Sequence, residues 1–230
     1  KIIERSRVFS LYYSSILIGG QKMFREYLQK LEHDITQKEN LALVRSTAQK
    51  FAKTHTIEEC WQFSIQAWKS EYFQIQELAV FICGYIAHEY SPALSFLENE
   101  VIHHSNWRVQ EVLAMAFDSY CKNIGYEQAL SIIQKWLQSD NDKQRRAVTE
   151  GLRVWTSRPF FKDNPKVAIQ LLSALKADPS EYVRKSVGNA LRDISKRNPE
   201  LIRTEIENWD LTDKRIAQVY KLAHRFLEKS

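Results

Sequence analysis

Four segments of the chain, FQIQELAVFICGYI, WRVQEVLAMAFDSY, DKQRRAVTEGLRVW and EYVRKSVGNALRDI, align with Gln76, Gln110, Arg145 and Arg184 in one register, spaced by 34, 35 and 39 residues. Weaker copies lie before them, near Arg45, and after them, near Lys214. Each segment carries apolar residues at a helical period, and the links hold helix stops and starts: Ser91-Pro92, Ser139-Asp140-Asn141-Asp142, Asn164-Pro165 and Asp178-Pro179-Ser180. A unit of this length accommodates a helical pair that buries its apolar face only by stacking on its neighbours. The spacing therefore predicts an all-α fold: a HEAT-like α-α superhelix of about six repeats, with a concave basic groove. Six Gly and five Pro in 230 residues are too few for a loop-rich β protein. A single domain over residues 1–230 is expected, residues 1–22 forming an N-terminal segment and 23–230 the repeats. FSLYYSSILIGG, Phe9 to Gly20, reads as a docked amphipathic helix or strand, too short and too broken by serine to span a bilayer.

The register separates two faces. Three residues after register zero stand Ala79, Leu113, Val148 and Val187; seven after, Cys83, Phe117, Leu152 and Leu191; ten after, Ile86, Tyr120, Trp155 and Ile194. These offsets trace one apolar stripe, the face that packs. Offsets of one, five and nine lie on the far side of the same helices. They hold Glu77, Glu111, Arg146 and Lys185, then Phe81, Met115, Glu150 and Asn189, then Asp193. Trp107 precedes Glu111 by one turn. Equal registers form rows when helices stack, so the expected surface is basic, aromatic and acidic together. Arg108, Arg145, Arg146, Arg184, Lys185 and Arg192 are its basic candidates, and the pairs Arg145-Arg146 and Arg184-Lys185 predict two successive phosphate contacts. Trp155 stands in the core register, and RVWTSRPFF leaves open that its ring swings toward the groove instead.

Charge is uneven. Residues 1–100 hold 11 basic against 12 acidic side chains, and residues 101–230 hold 22 against 16. A basic C-terminal half in a chain of pI about 9.0 fits a polyanionic partner. The three cysteines, Cys60, Cys83 and Cys121, sit in apolar helical patterns without paired spacing, which predicts packed thiols in a cytoplasmic protein. No metal spacing, phosphate loop, dinucleotide fingerprint or nucleophile elbow occurs, so no cofactor or metal is expected. Carboxylates in a polyanion-binding groove cost affinity through repulsion. They make sense where the ligand itself carries positive charge.

NWRVQE, RRAVTEG and, most specifically, RKSVGNALRDISKRNPE resemble the AlkC/AlkD family of HEAT-like alkylpurine DNA glycosylases, and WKSEYFQIQELA matches an earlier repeat of that family. The similarity runs from about Trp61 to Phe226. These enzymes remove N3- or N7-alkylated purines from DNA without a metal. The resemblance to the AlkC branch implies catalytic roles for Glu111, Glu150, Asp193 and Trp155. It implies DNA contacts from Trp107, Arg108, Arg145, Arg146, Arg184, Lys185, Asn189 and Arg192. In the AlkD branch an aspartate takes the place of Glu111, an arginine that of Arg146, and a tryptophan that of Asn189, so this chain departs from AlkD at an aromatic. The implied partner is double-stranded DNA containing alkylated bases, bound by a monomer in the cytoplasm, nucleoid-associated when on DNA, with no membrane. Two other readings stay open, a non-catalytic DNA-binding relative and a protein-interaction scaffold.

Overall fold

The computed structural model describes residues 23–37 and 40–229, and these are helical almost throughout, with no strand among them. The expected element at Phe9–Gly20 lies outside the described residues. Residues 23–36 form helix α1. There follow α2 (Leu41–Thr54), α3 (Ile57–Ala67), α4 (Phe73–Ile86), α5 (Ser91–Asn99), α6 (Trp107–Ile124), α7 (Leu130–Leu137) and α8 (Asp142–Gly151). The short α9 (Pro159–Asp163) precedes α10 (Pro165–Ser173), α11 (Glu181–Ser195), α12 (Pro199–Ile206) and α13 (Lys214–Ala223). Leaving out α9, the described helices fall in chain order into six pairs, the all-α HEAT-like architecture that the register requires.

Polar caps and prolines mark many of the helix starts. Second helices open on a short polar cap: Asn40, Asn106, Asn141 and Asp213 each accept a backbone N–H from the first turn of α2, α6, α8 and α13. First helices α5, α10 and α12 carry proline at the start instead, where the missing N–H costs nothing. At α3 the cap is a full box, with Thr56 accepting from the Glu59 N–H and the Glu59 carboxylate accepting from Thr56. Helix α6 stops at Gly125, whose φ of 90° is reached without strain only by glycine.

Two compact units divide the chain, Lys1–Ile82 and Cys83–Ser230, with the boundary inside α4. In the first unit an aromatic cluster forms the core. The Phe51 ring stacks on Phe63 at 4.2 Å and on His55 at 3.8 Å, with Phe24 and Tyr27 beside them. In the second unit the second helices follow one another side by side, α6 on α8, α8 on α11 and α11 on α13. A Cβ on Gly151 would lie 2.3 Å from the Ala114 carbonyl oxygen, so α8 meets α6 backbone to backbone there.

The apolar stripe is as the sequence reads. Offsets three and seven are fully buried in all four helices, and at offset ten Ile86, Trp155 and Ile194 are buried with Tyr120 partly so. Cys60, Cys83 and Cys121 are buried thiols. The opposite row differs from expectation in α4, where Glu77 and Phe81 are buried rather than solvent-facing. Leu78, Ala79, Val80, Ile82 and Cys83 are buried with them, so α4 is apolar nearly all round, as a helix enclosed on every side must be. The terminal copies also shift. Register zero is the fourth residue of α4, α6, α8 and α11; in α2 and α13 that place belongs to Val44 and Ala217, not to Arg45 and Lys214.

Candidate nucleic-acid interface

Register zero proves to be a clasp. Gln76 Nε2 donates to the Ser70 carbonyl at 3.0 Å, and Gln110 Nε2 to that of His104 at 3.0 Å. Arg145 Nη1 donates to the Ser139 carbonyl at 2.7 Å, and Arg184 Nη1 to that of Asp178 at 2.6 Å. Every acceptor lies six residues earlier, in the link before the helix, where carbonyls have lost their helical partners. The expected phosphate contact at Arg145 does not fit its burial. Arg145 is buried and spends its other donors on Asp178, Nε to Oδ2 at 2.7 Å and Nη2 to Oδ1 at 2.9 Å. Arg184 Nε donates to Gln218 at 2.8 Å. The Arg145 guanidinium is thus spent within the protein, whereas Arg184 is half-buried and its Nη2 lies outside these bonds.

In α6, α8 and α11 the position after register zero faces outward. Arg146 on α8 ion-pairs through Nη2 with Glu111 Oε1 on α6, and both are partly exposed. One turn along α8, Glu150 is 17% exposed and lies 3.9 Å from Arg153 Nη1. The same Arg153 places its Nε 3.5 Å from Asp193 Oδ2 on α11. Asp193, 12% exposed, also has Lys196 Nζ at 2.9 Å and Arg192 Nη2 at 3.6 Å. Three acids from three successive second helices, at offsets one, five and nine, are therefore linked by arginines: Glu111 to Arg146 on the helix that carries Glu150, and Glu150 to Asp193 through Arg153. Lys185 is exposed and pairs with Glu181 at 2.7 Å; Asn189, partly exposed, occupies the next turn of α11. At the start of α6 the Trp107 ring is 64% exposed, with the Arg108 guanidinium 5.0 Å from its centroid.

Trp155 belongs to the core. Helix α8 ends at Gly151, and a 3₁₀ turn over Trp155–Ser157 turns the indole inward, fully buried and edge-on to Phe161 at 4.8 Å. The swing toward the groove that the sequence left open does not occur, and the ring keeps the core register: its apolar area is worth more in the packed interior than at a wet surface. It anchors the bend that carries Arg153. Arg192, too, is mostly covered, with its guanidinium 5.8 Å from the Phe226 ring.

Three residues of this face were not singled out from the sequence. Lys143 and Tyr182 share with Arg108 the offset two before register zero, one turn before the outward row, so the pattern contained them. Tyr182 is 72% exposed. Arg153 follows the end of α8, where helical periodicity carries no information. Beyond the row, Arg158 is held by Asp118 (2.9 and 3.2 Å), the Gly151 and Val154 carbonyls and Ser157, and Tyr126 donates to the same carboxylate. Burial and that carboxylate push the Tyr126 hydroxyl well above its ordinary range. A wide cleft of about 880 Å³ beside this cluster has no cation left to offer from Arg158.

Helix pairs repeating at this spacing, with an outward face that mixes exposed aromatics, cations and acids, define a helical-repeat protein. The family model described as DNA alkylation repair enzyme matches residues 39–220, and the chain belongs to that family. AlkD2 from Streptococcus mutans shares 48% identity over 88% of this chain and 98% of that one, with a TM-score of 0.86. AlkC from Pseudomonas fluorescens, an alkylpurine DNA glycosylase solved bound to DNA containing an abasic site analog, has a TM-score of 0.54 over 90% of this chain and 63% of that one. At 22% identity that likeness is one of fold. The protein YhaZ of Bacillus subtilis is 36% identical over 107 residues, and the matched stretch spans 30% of its length. Among the described residues no helix is long and apolar enough to cross a membrane.

Proposed function

We propose that the protein binds double-stranded DNA across the outward row of its second unit and hydrolyses the N-glycosidic bond of cationic alkylated purines, of the 3-methyladenine or 7-methylguanine kind. The bond between the sugar C1′ and the base nitrogen breaks with its electron pair going to the base. The base leaves neutral, and the positive charge passes to an oxocarbenium-like sugar. Water adds to that carbon and loses a proton. A base that starts positive needs no strong acid to leave, so the useful contribution is negative charge held near the sugar, with a group to orient the water. The observation that carries this reading is the set Glu111, Glu150 and Asp193, three carboxylates from adjacent helices bordered by cations suited to the flanking phosphates. Glu111 is the principal group, since Arg146 holds it at the outer face beside Trp107. Trp107 supplies an aromatic face to a cationic base, a contact of about 0.5–2 kcal/mol. Arg108, Arg146 and Lys185 meet the backbone, and the protein acts as a monomer.

Base release from methylated duplex DNA tests the reading. Glu111→Gln should lower release of methylated purines by about 10²–10³-fold while DNA affinity holds or rises. A wild-type protein that frees neither 3-methyladenine nor 7-methylguanine refutes hydrolysis. A second reading, DNA binding without base removal, is favoured by one observation: each of the three acids already has a cationic neighbour within the protein, which offsets the charge that hydrolysis needs. It predicts salt-dependent affinity with no release.

A further inference from the structure

Four arginines of the second unit border α8, and three of them make at least one side-chain hydrogen bond. Arg145 makes four side-chain hydrogen bonds, to Asp178 twice and to the Ser139 and Asp140 carbonyls. Arg158 is held by Asp118, two carbonyls and Ser157. Arg146 donates to Glu111. Arg153 is different. It makes no side-chain hydrogen bond among the described residues, and its two ion pairs, at 3.5 and 3.9 Å, are longer than the 2.7–2.9 Å of a charge-assisted hydrogen bond. Its side chain is 44% exposed, whereas the acids it lies between are 17% and 12% exposed. The five donors of a planar fork are thus unspent, on the outward row, over two carboxylates that each compete for it weakly.

We propose that Arg153 is a transferable counterion. In the unliganded protein it balances Glu150 and Asp193; when DNA binds, a backbone phosphate takes its guanidinium in a bidentate contact and leaves the two carboxylates facing the nucleotide. A planar, bidentate cation suits the exchange, because phosphate and carboxylate present similar pairs of oxygens to the same fork. Asp193 keeps Lys196 and Arg192 as neighbours after the transfer, and Glu150 is the acid that gains most in effective charge. This inference rests on the DNA-binding part of the reading above and not on hydrolysis. It makes Arg153 a positioning residue, one that controls when the acids are uncovered.

The test is fluorescence anisotropy with unmodified duplex DNA over a series of potassium chloride concentrations, using the full chain. A phosphate contact contributes about 0.9 to the slope of log K against log salt. Arg153→Gln should therefore flatten the slope by about that amount, while Arg153→Lys, which keeps a point charge, should retain it. Melting temperature checks that both variants are folded, as expected for a side chain this exposed. An Arg153→Gln slope equal to wild type would mean that the guanidinium stays with its acids in the complex, and the proposal would fail. Absence of salt-dependent affinity in the wild type would also overturn it. Failure of base release would not, because no damaged base is used.

Discussion

The assignment of Arg145 to architecture rather than to DNA gives the sharpest test of the fold. Arg145 and Asp178 are 9% and 2% exposed, and their two hydrogen bonds join α8 to the link before α11. Asp178 also accepts the Ser180 N–H at 2.8 Å. Arg145→Met would leave a buried carboxylate without its cation, and Asp178→Leu a buried guanidinium without its anion. Breaking such a pair from one side costs about 3–5 kcal/mol. At roughly 2–4 °C per kcal/mol for a chain of this size, either change should lower the melting temperature by roughly 6–20 °C. The double variant should recover much of the loss, since well-packed apolar replacements of both partners are often neutral or stabilising. Recovery will be incomplete, because the Ser139 and Asp140 carbonyls lose their donor. The assay is thermal unfolding by circular dichroism, with DNA affinity measured at 25 °C on the folded fraction. An Arg145→Met protein that melts like wild type but loses DNA affinity would refute the clasp and restore Arg145 to the binding surface.

Two further outcomes follow from the geometry. Trp107→Ala should weaken DNA binding about tenfold, since an aromatic contact to a base is worth about 1–3 kcal/mol, and should leave the melting temperature unchanged because the ring is 64% exposed; an unchanged affinity would remove Trp107 from the interface. Asp213 caps α13 and binds Arg215, and those hydrogen bonds hold its carboxyl down to about 2. Its folded value lies below the unfolded one, so its contribution is complete above about pH 4 and fades as pH falls toward 2. The melting-temperature gap between wild type and Asp213→Ala should narrow over that window, and a gap independent of pH would show that the charge is irrelevant.

Much of this was legible in the sequence because the repeat does two jobs at once. The offsets that bury Val148, Leu152 and Leu191 also fix which residues face away, so Arg146, Glu111 and Asp193 were found from spacing alone. What spacing could not separate was Arg145 from Arg146. The two are adjacent, equally charged and a hundred degrees apart on the helix, and the difference lies in Asp178, a partner from another repeat 33 residues away. Trp155 was ambiguous for a related reason: α8 ends four residues earlier, and beyond a helix end the angular argument lapses. Arg153 was missed in the same blind stretch. Glu77 and Phe81 show the complementary failure, since a helix enclosed on every side has no outer row to read.

The clasp six residues back has a consequence for how such a chain changes over time. Its donor is glutamine in two repeats and arginine in two, so the bond tolerates both a neutral and a charged head. Each elbow is fastened by a side chain from within its own repeat, and the two arginine clasps also reach the next repeat, Arg145 to Asp178 and Arg184 to Gln218. The clasp itself can therefore survive an exchange of glutamine for arginine, but where the donor also answers a buried acid, as Arg145 answers Asp178, the charge is fixed by that partner.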